Sequence, residues 1–140
     1  MTATRSDAIQ TEPDLADSVA AAILAAVNEG FERQLELTRA LVTMPSLRGD
    51  EALVQDFMAG CFAARGYAVE RFAMDPAALA GHVGAGRITA EHSTAEIVVA
   101  RAGTPGGAGR SLILQGHVDV VPPGPAHQWT HPPFSAHVAG

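Results

Sequence analysis

The sequence has no lysine, a single cysteine and few aromatic residues, and each shortage excludes something. All nine basic residues are arginines, scattered between Arg5 and Arg110 without a cluster, in a chain of net charge −6. A phosphate-backbone interface needs a basic patch, so we expect no nucleic-acid partner. The lone Cys61 excludes an internal disulfide, which fits a reducing compartment.

Long hydrophobic runs are also missing. The apolar stretch from Val19 to Val27 is too short to cross a bilayer. It follows Asp14 and Asp17 instead of the basic segment that precedes the apolar part of a signal peptide. We therefore expect no membrane partner and a cytoplasmic location.

The residues that are present are typical of a globular α/β domain. The 140 residues are 47% hydrophobic and 17% charged, which suits one domain with an aliphatic core. Residues 1–16 lack periodicity and are predicted to be a disordered lead, with the domain in residues 17–140.

Apolar periodicity predicts two helices and three strands. One helix begins near Asp17 or Ser18, is broken or bent at Gly30, and ends at Pro45. A second helix begins after Asp50 as N-cap and ends at Gly66. Its apolar stripe comprises Val54, Phe57, Met58, Cys61 and Phe62, with Cys61 as a core residue.

The predicted strands are Tyr67–Phe72, Glu96–Arg101 and Ser111–Gln115, the last two forming a hairpin around Gly103–Gly109. Residues 75–95 and those after Val120 are predicted to be mainly loop.

Several tempting motifs fail on their context. The segment from Gly103 to Ser111 resembles a phosphate loop but lacks the lysine, and a strand follows it where a helix belongs. His127 and His131 have the spacing of two metal ligands on one helical face. The prolines on both sides argue against a helix there, so we expect no metal pair.

His117 and Asp119 form the candidate site because they follow an apolar strand. Residues i and i+2 of an extended chain project to the same face, so the two side chains emerge together at the end of the strand. In α/β sheets ligands bind at that edge. A neutral imidazole binds zinc through one nitrogen, and a nearby carboxylate fixes its orientation.

The longer string around this pair resembles the metal-ligand segment of the M20 metallopeptidase and deacylase family. It is most similar to the branch of acetylornithine deacetylase and succinyl-diaminopimelate desuccinylase. The matching residues are Gly116, His117, Asp119, Val121, Pro122, Trp129, Pro133 and Phe134. The segment Leu41–Ser46 and the later Arg65-Gly66-Tyr67 are similar to the opening of the family's sequences. The resemblance covers most of the chain after residue 30.

The resemblance implies the N-terminal part of a mixed-sheet, zinc-exopeptidase-like catalytic domain with flanking helices. It also implies a co-catalytic pair of zinc ions, sometimes replaced by cobalt, which activate water and polarise an amide carbonyl. His117 would be a ligand of one metal, and Asp119 the catalytic carboxylate beside it. The implied substrates are N-acyl amino acids or small peptides, and the family is often homodimeric.

The resemblance is incomplete because the family's other metal ligands and its general-base glutamate come later in the chain. This sequence reaches Gly140 before them, and before the inserted dimerisation domain, so a truncated chain is expected. Glu91 and Glu96 precede the motif and do not replace the missing acids. One ligand does not make a catalytic zinc site, so we expect this chain to be inactive alone.

Two other interpretations remain open at this point. In the first, the chain is a non-catalytic binding or regulatory module of the same fold, with exposed strand edges that a partner completes. In the second, it is a structural domain in which His117 and Asp119 only hydrogen-bond to each other.

Overall fold

A computed structural model describes residues 16–86, 96–103, 106 and 111–139. The elements are α1 (Asp17–Glu29), α2 (Phe31–Val42), α3 (Ala52–Ala64), β1 (Ala68–Ala73), α4 (Pro76–Leu79), β2 (Glu96–Arg101) and a 3₁₀ turn (Ala126–Gln128). The α/β class is confirmed. The chain divides into two compact units, Met1–Leu37 and Thr38–Gly140. Most of the predicted lead and part of the Gly103–Gly109 turn lie outside the described residues, and the predicted domain boundaries stay a prediction.

The first unit contains α1 and most of α2, separated at Gly30. The Gly30 N–H still bonds to the Ala26 carbonyl, and its own carbonyl accepts from Gln34, while Gly30 itself separates α1 from α2. The predicted break is therefore confirmed. No helix in the described part of the chain is long and apolar enough to cross a membrane.

In the second unit α3 ends in the way its sequence predicts. Gly66 has a φ of +76°, which L side chains rarely adopt. Its N–H bonds to Ala63 and that of Tyr67 bonds to Phe62, the two hydrogen bonds of a Schellman motif. The Phe62 and Tyr67 rings stack with centroids 6.2 Å apart, closing the helix end with an apolar contact.

The predicted N-cap of α3 is wrong by one residue. Glu51, not Asp50, occupies the position, and its side chain makes no cap hydrogen bond. Both Glu51 carboxylate oxygens instead accept from the Gly49 N–H at 3.0 Å. The acid therefore stabilises the turn before the helix, because Gly49 adopts a φ of +94° that presents its N–H to that side chain.

The sheet has two antiparallel strands, with β1 paired to β2 from Ala68 opposite Arg101 to Ala73 opposite Glu96. Both strands match their predictions to within a residue. The predicted hairpin of β2 with Ser111–Gln115 is wrong, because residues 111–119 have no regular strand. Strand propensity is realised only against a partner. Leu112, Ile113 and Leu114 are 80–88% exposed and make no hydrogen bond among the described residues.

Helix α3 packs on this sheet and supplies the small core. Val54, 2% exposed, is the only buried hydrophobic residue in the described part of the chain. Gln55 donates to the Glu96 carbonyl at 3.0 Å, tying α3 to β2. Arg71 on β1 pairs with Glu96 and, at 2.6 Å, with Asp56, and the hydrogen bonds that it donates to these two carboxylates raise its pKa. Helix and strands are thus joined by one guanidinium.

A short helix, α4, lies where the sequence predicted mainly loop. Asp75 caps it, accepting at Oδ1 from the N–H groups of Ala77 at 2.9 Å and Ala78 at 3.1 Å. Pro76 stands at its first turn, where a missing N–H costs nothing. The Asp-Pro pair is a helix-start signal that the loop prediction overlooked.

Candidate functional site

The candidate site begins where two loops meet, one after α2 and one at residues 118–120. The N–H of Val120 donates to the Ser46 carbonyl at 2.9 Å, and the Ser46 hydroxyl donates to the Val118 carbonyl at 2.6 Å. Leu47 and Val120 form an isolated parallel bridge. Ser46 is 4% exposed, the only buried polar residue in the described part of the chain.

His117 and Asp119 lie in contact beside this junction. Nδ1 of His117 is 3.0 Å from Oδ1 of Asp119 and 3.1 Å from the Asp119 carbonyl oxygen. The side chains are 80% and 42% exposed. The pair that the sequence predicted is therefore brought together, although the strand on which that prediction rested has not formed.

The hydrogen bond to the carboxylate assigns the imidazole tautomer. An acceptor-only carboxylate at Nδ1 requires the proton on that nitrogen. In the neutral ring Nε2 then keeps its lone pair, the electronic state in which histidine binds a metal. A ligand histidine that donates its other N–H to a carboxylate is the common arrangement around zinc.

The residues that follow fold back on themselves in a small loop. The Trp129 indole N–H donates to the Pro123 carbonyl at 2.8 Å, and Gly124 provides the turn with a φ of +75°. Pro133 and Phe134 are partly buried. The prolines and the tryptophan that carry the resemblance thus shape the chain after Asp119. Residues 111–139 are called the His117 segment below.

Three other histidines make local contacts. The rings of His131 and His137 stack with centroids 3.6 Å apart, whereas His127 lies on the 3₁₀ turn. His82 accepts at Nδ1 from the Gly84 N–H at 3.1 Å. His92 and Glu91 lie outside the described residues, and Glu96 is committed to its ion pair with Arg71.

The donor set fits a metal only in part. Among the described residues, no group of three or more His, Cys, Asp or Glu side chains is placed to hold a metal ion. A catalytic zinc site takes about three protein ligands. His117 offers one imidazole nitrogen, and Asp119 offers a carboxylate that is already hydrogen-bonded to that ring.

Ser46 is the site residue that sequence reasoning missed. The sequence offers only a Pro-Ser pair after a helix, and nothing in its spacing connects it to a position 72 residues later. A shallow depression of about 210 Å³ adjoins Ser46. Its other lining residues are Met44, Pro45, Asp50, Leu53 and Val54.

Comparison with known proteins gives one consistent result. The chain is 36% identical over 107 residues to the succinyl-diaminopimelate desuccinylase of Methylorubrum extorquens, a match covering 75% of this chain and 23% of that protein. It is 33% identical to the protein of the same name from Acidovorax ebreus, a match covering 72% of this chain and 24% of that protein. It is also 33% identical to the one from Burkholderia cenocepacia, over 71% of this chain and 22% of that protein. No family model matches the sequence. The chain spans about a quarter of the length of these relatives.

Proposed function

The chain is a relative of the succinyl-diaminopimelate desuccinylases of the M20 family, and on this premise we propose that it carries part of a metal-dependent amide hydrolase site. The observation that carries the proposal is the 3.0 Å contact between His117 Nδ1 and the Asp119 carboxylate. In the neutral ring this contact places the proton on Nδ1, and the Nε2 lone pair of the largely exposed side chain is then the one that binds zinc or cobalt.

The two side chains divide the work. His117 would hold the metal through Nε2, and Asp119 would hold the ring by accepting the Nδ1 proton in a hydrogen bond. The negative carboxylate makes the imidazole a better electron donor and limits its rotation. A metal bound there supplies Lewis-acid polarisation of the acyl-amide carbonyl. Acyl amides of the succinyl-diaminopimelate type are the proposed substrate class, taken from the names of the relatives.

We propose that the 140-residue chain alone has no hydrolase activity. The candidate site supplies one imidazole donor where about three ligands are needed, and no group of three or more possible ligands comes together among the described residues. Purified chain with zinc is expected to release no succinate from succinyl-diaminopimelate above a protein-free control. Zinc-dependent turnover by this chain would contradict the proposal. The cytoplasmic location remains a prediction.

Metal binding is tested by NMR, following the imidazole proton signals during titration with zinc. We expect weak binding that shifts the His117 signals, because a single protein ligand holds zinc poorly. Asp119→Asn should weaken this response by about tenfold or more, because the ring loses its charged hydrogen-bond acceptor.

The matched controls for this titration are His117→Ala and His127→Ala. His117→Ala should abolish the site, whereas His127→Ala removes another exposed histidine, on the 3₁₀ turn, and should leave the His117 shifts unchanged. Zinc shifts that stay at other histidines in His117→Ala, with none at His117 in the wild type, would refute the ligand role.

A second candidate function is a non-catalytic module completed by a partner. The exposure of Leu112, Ile113 and Leu114 favours it, because three consecutive apolar side chains face solvent. Size-exclusion chromatography with light scattering separates the two functions. A defined oligomer that forms without metal, together with no zinc response at His117, supports the module over the hydrolase.

A further inference from the structure

We infer that Ser46 is a positioning residue that sets the geometry of the His117–Asp119 pair, an inference that rests on the proposed function of that pair. Ser46 is buried, and both its hydroxyl and its carbonyl form hydrogen bonds with the His117 segment. These groups bond across 72 residues of sequence, and no other residue of its loop makes two such bonds within the described chain.

The two bonds hold the peptide planes on either side of Asp119. The Val118 carbonyl belongs to the peptide that precedes Asp119, and the Val120 N–H belongs to the peptide that follows it. Fixing both planes fixes φ and ψ of Asp119 and therefore the direction of its Cα–Cβ bond. The carboxylate is held where His117 Nδ1 meets it at 3.0 Å.

Ser46 itself is fixed by its own loop. Its N–H donates to the Met44 carbonyl at 2.8 Å, and Leu47 donates to Pro45 at 2.8 Å. The turn follows directly on α2, whose last residue is Val42. A hydroxyl on a rigid turn loses little entropy when it bonds, so this residue is suited to fixing the more exposed segment that it contacts.

A serine is required because the donor must be short and buried. Without the hydroxyl, the Val118 carbonyl loses its hydrogen-bond partner at a part-buried position. Threonine keeps the hydroxyl donor and adds one methyl group. Cysteine keeps the shape but donates weakly.

The test compares Ser46→Ala, Ser46→Cys and Ser46→Thr in the 140-residue chain by amide hydrogen exchange. In Ser46→Ala we expect the Val120 amide to exchange at least about tenfold faster, while the hydrogen-bonded amides of β2 change less than about twofold. Ser46→Cys should be intermediate, and Ser46→Thr should restore the wild-type rate.

Thr43→Ala is the matched control. Thr43 also donates a hydroxyl to a backbone carbonyl, that of Ala40 at 2.7 Å, three residues before Ser46. Its loss should leave the Val120 exchange rate unchanged. Equal acceleration of Val120 and of the β2 amides in Ser46→Ala would overturn the inference, since it would reduce Ser46 to a residue of general stability. If Ser46→Ala does not fold, unchanged Val120 exchange in Ser46→Cys has the same meaning.

A zinc titration of the same variants links the geometry to the site. Ser46→Ala should weaken the zinc response of the His117 signals by about tenfold, the size of effect typical of residues that orient a ligand. If the wild type shows no zinc response, the proposed metal role of His117 fails. The exchange measurement still decides on Ser46 in that case, so the two failures are distinguishable.

Discussion

The α3–β1–β2 layer and the His117 segment belong to the same compact unit but are held by different kinds of interaction. The layer has a continuous ladder of paired strands, a helix with a closed C-terminus and an ion-pair cluster around Arg71. Two hydrogen bonds to Ser46 join the His117 segment to the rest of the described unit, whereas the indole hydrogen bond and the stacked rings of His131 and His137 lie within the segment itself. The layer is held by many contacts between neighbouring elements, whereas the His117 segment is joined to the rest of the unit by a few contacts between residues far apart in sequence.

The residues that stabilise the unit therefore differ from those that carry the candidate chemistry. The residues with the most extensive hydrogen bonding and burial carry no candidate ligand, and the candidate ligand is among the exposed ones. A site that must receive a metal and a substrate needs open coordination positions. The layer therefore should respond to substitution by losing stability, and the His117 segment by losing local geometry.

The largest expected effect on stability is from Val54→Ala. Removing two buried methyl groups from this position costs about 2 kcal/mol through lost transfer free energy and a small cavity. Urea denaturation measures it. The control is Leu53→Ala, where the neighbouring side chain is largely exposed and the cost should stay within about 0.5 kcal/mol. Equal losses from both variants would mean that Val54 is not the packing centre.

A smaller effect is expected from Gly66→Ala, which forces an L side chain into a φ of +76°. The strain costs about 1 kcal/mol in the free energy of unfolding. Gly60→Ala is the matched control inside α3, because a Cβ there meets nothing within 4 Å. That substitution should stabilise the helix by about 0.5–1 kcal/mol. We predict that the two substitutions change the free energy of unfolding in opposite directions. A loss of stability in both variants would contradict this.

The smallest effect is expected in the His117 segment itself. Ile113→Ser should change the free energy of unfolding by less than about 0.5 kcal/mol, because the side chain is already 88% exposed. Val99→Ser, on the partly buried β2, should give a clearly measurable loss under the same denaturation conditions. A loss above about 1 kcal/mol for Ile113→Ser would show that the segment packs in solution.

The helices and paired strands could be predicted because their signals are local. Gly66 ends α3 by its own backbone freedom, and Gly30 separates α1 from α2 while keeping right-handed helical angles. The hairpin failed for the opposite reason. The apolar residues Leu112–Leu114 have strand propensity, but propensity does not identify a partner, and β2 pairs with β1 instead.

Only the His117–Asp119 part of the candidate site could be predicted from the sequence. His117 and Asp119 are two residues apart, so an extended backbone is enough to bring them into contact, and the surrounding string directed attention to them. Ser46 is far away in sequence, and its role depends on which loop it meets in three dimensions. Spacing cannot report such a contact, because only the folded chain brings residues 46 and 118 together.

The parallel bridge between Leu47 and Val120 also bears on the order in which the molecule folds. Closing a loop of 72 residues from an unfolded chain costs about 4 kcal/mol of entropy. Two hydrogen bonds, each contributing about 1 kcal/mol net, do not offset that cost alone. The bridge must therefore form after α3, β1 and β2 have shortened the path between its ends. We therefore expect the backbone geometry around Asp119 to be fixed late in folding and lost early in unfolding, while the rest of the unit is still intact.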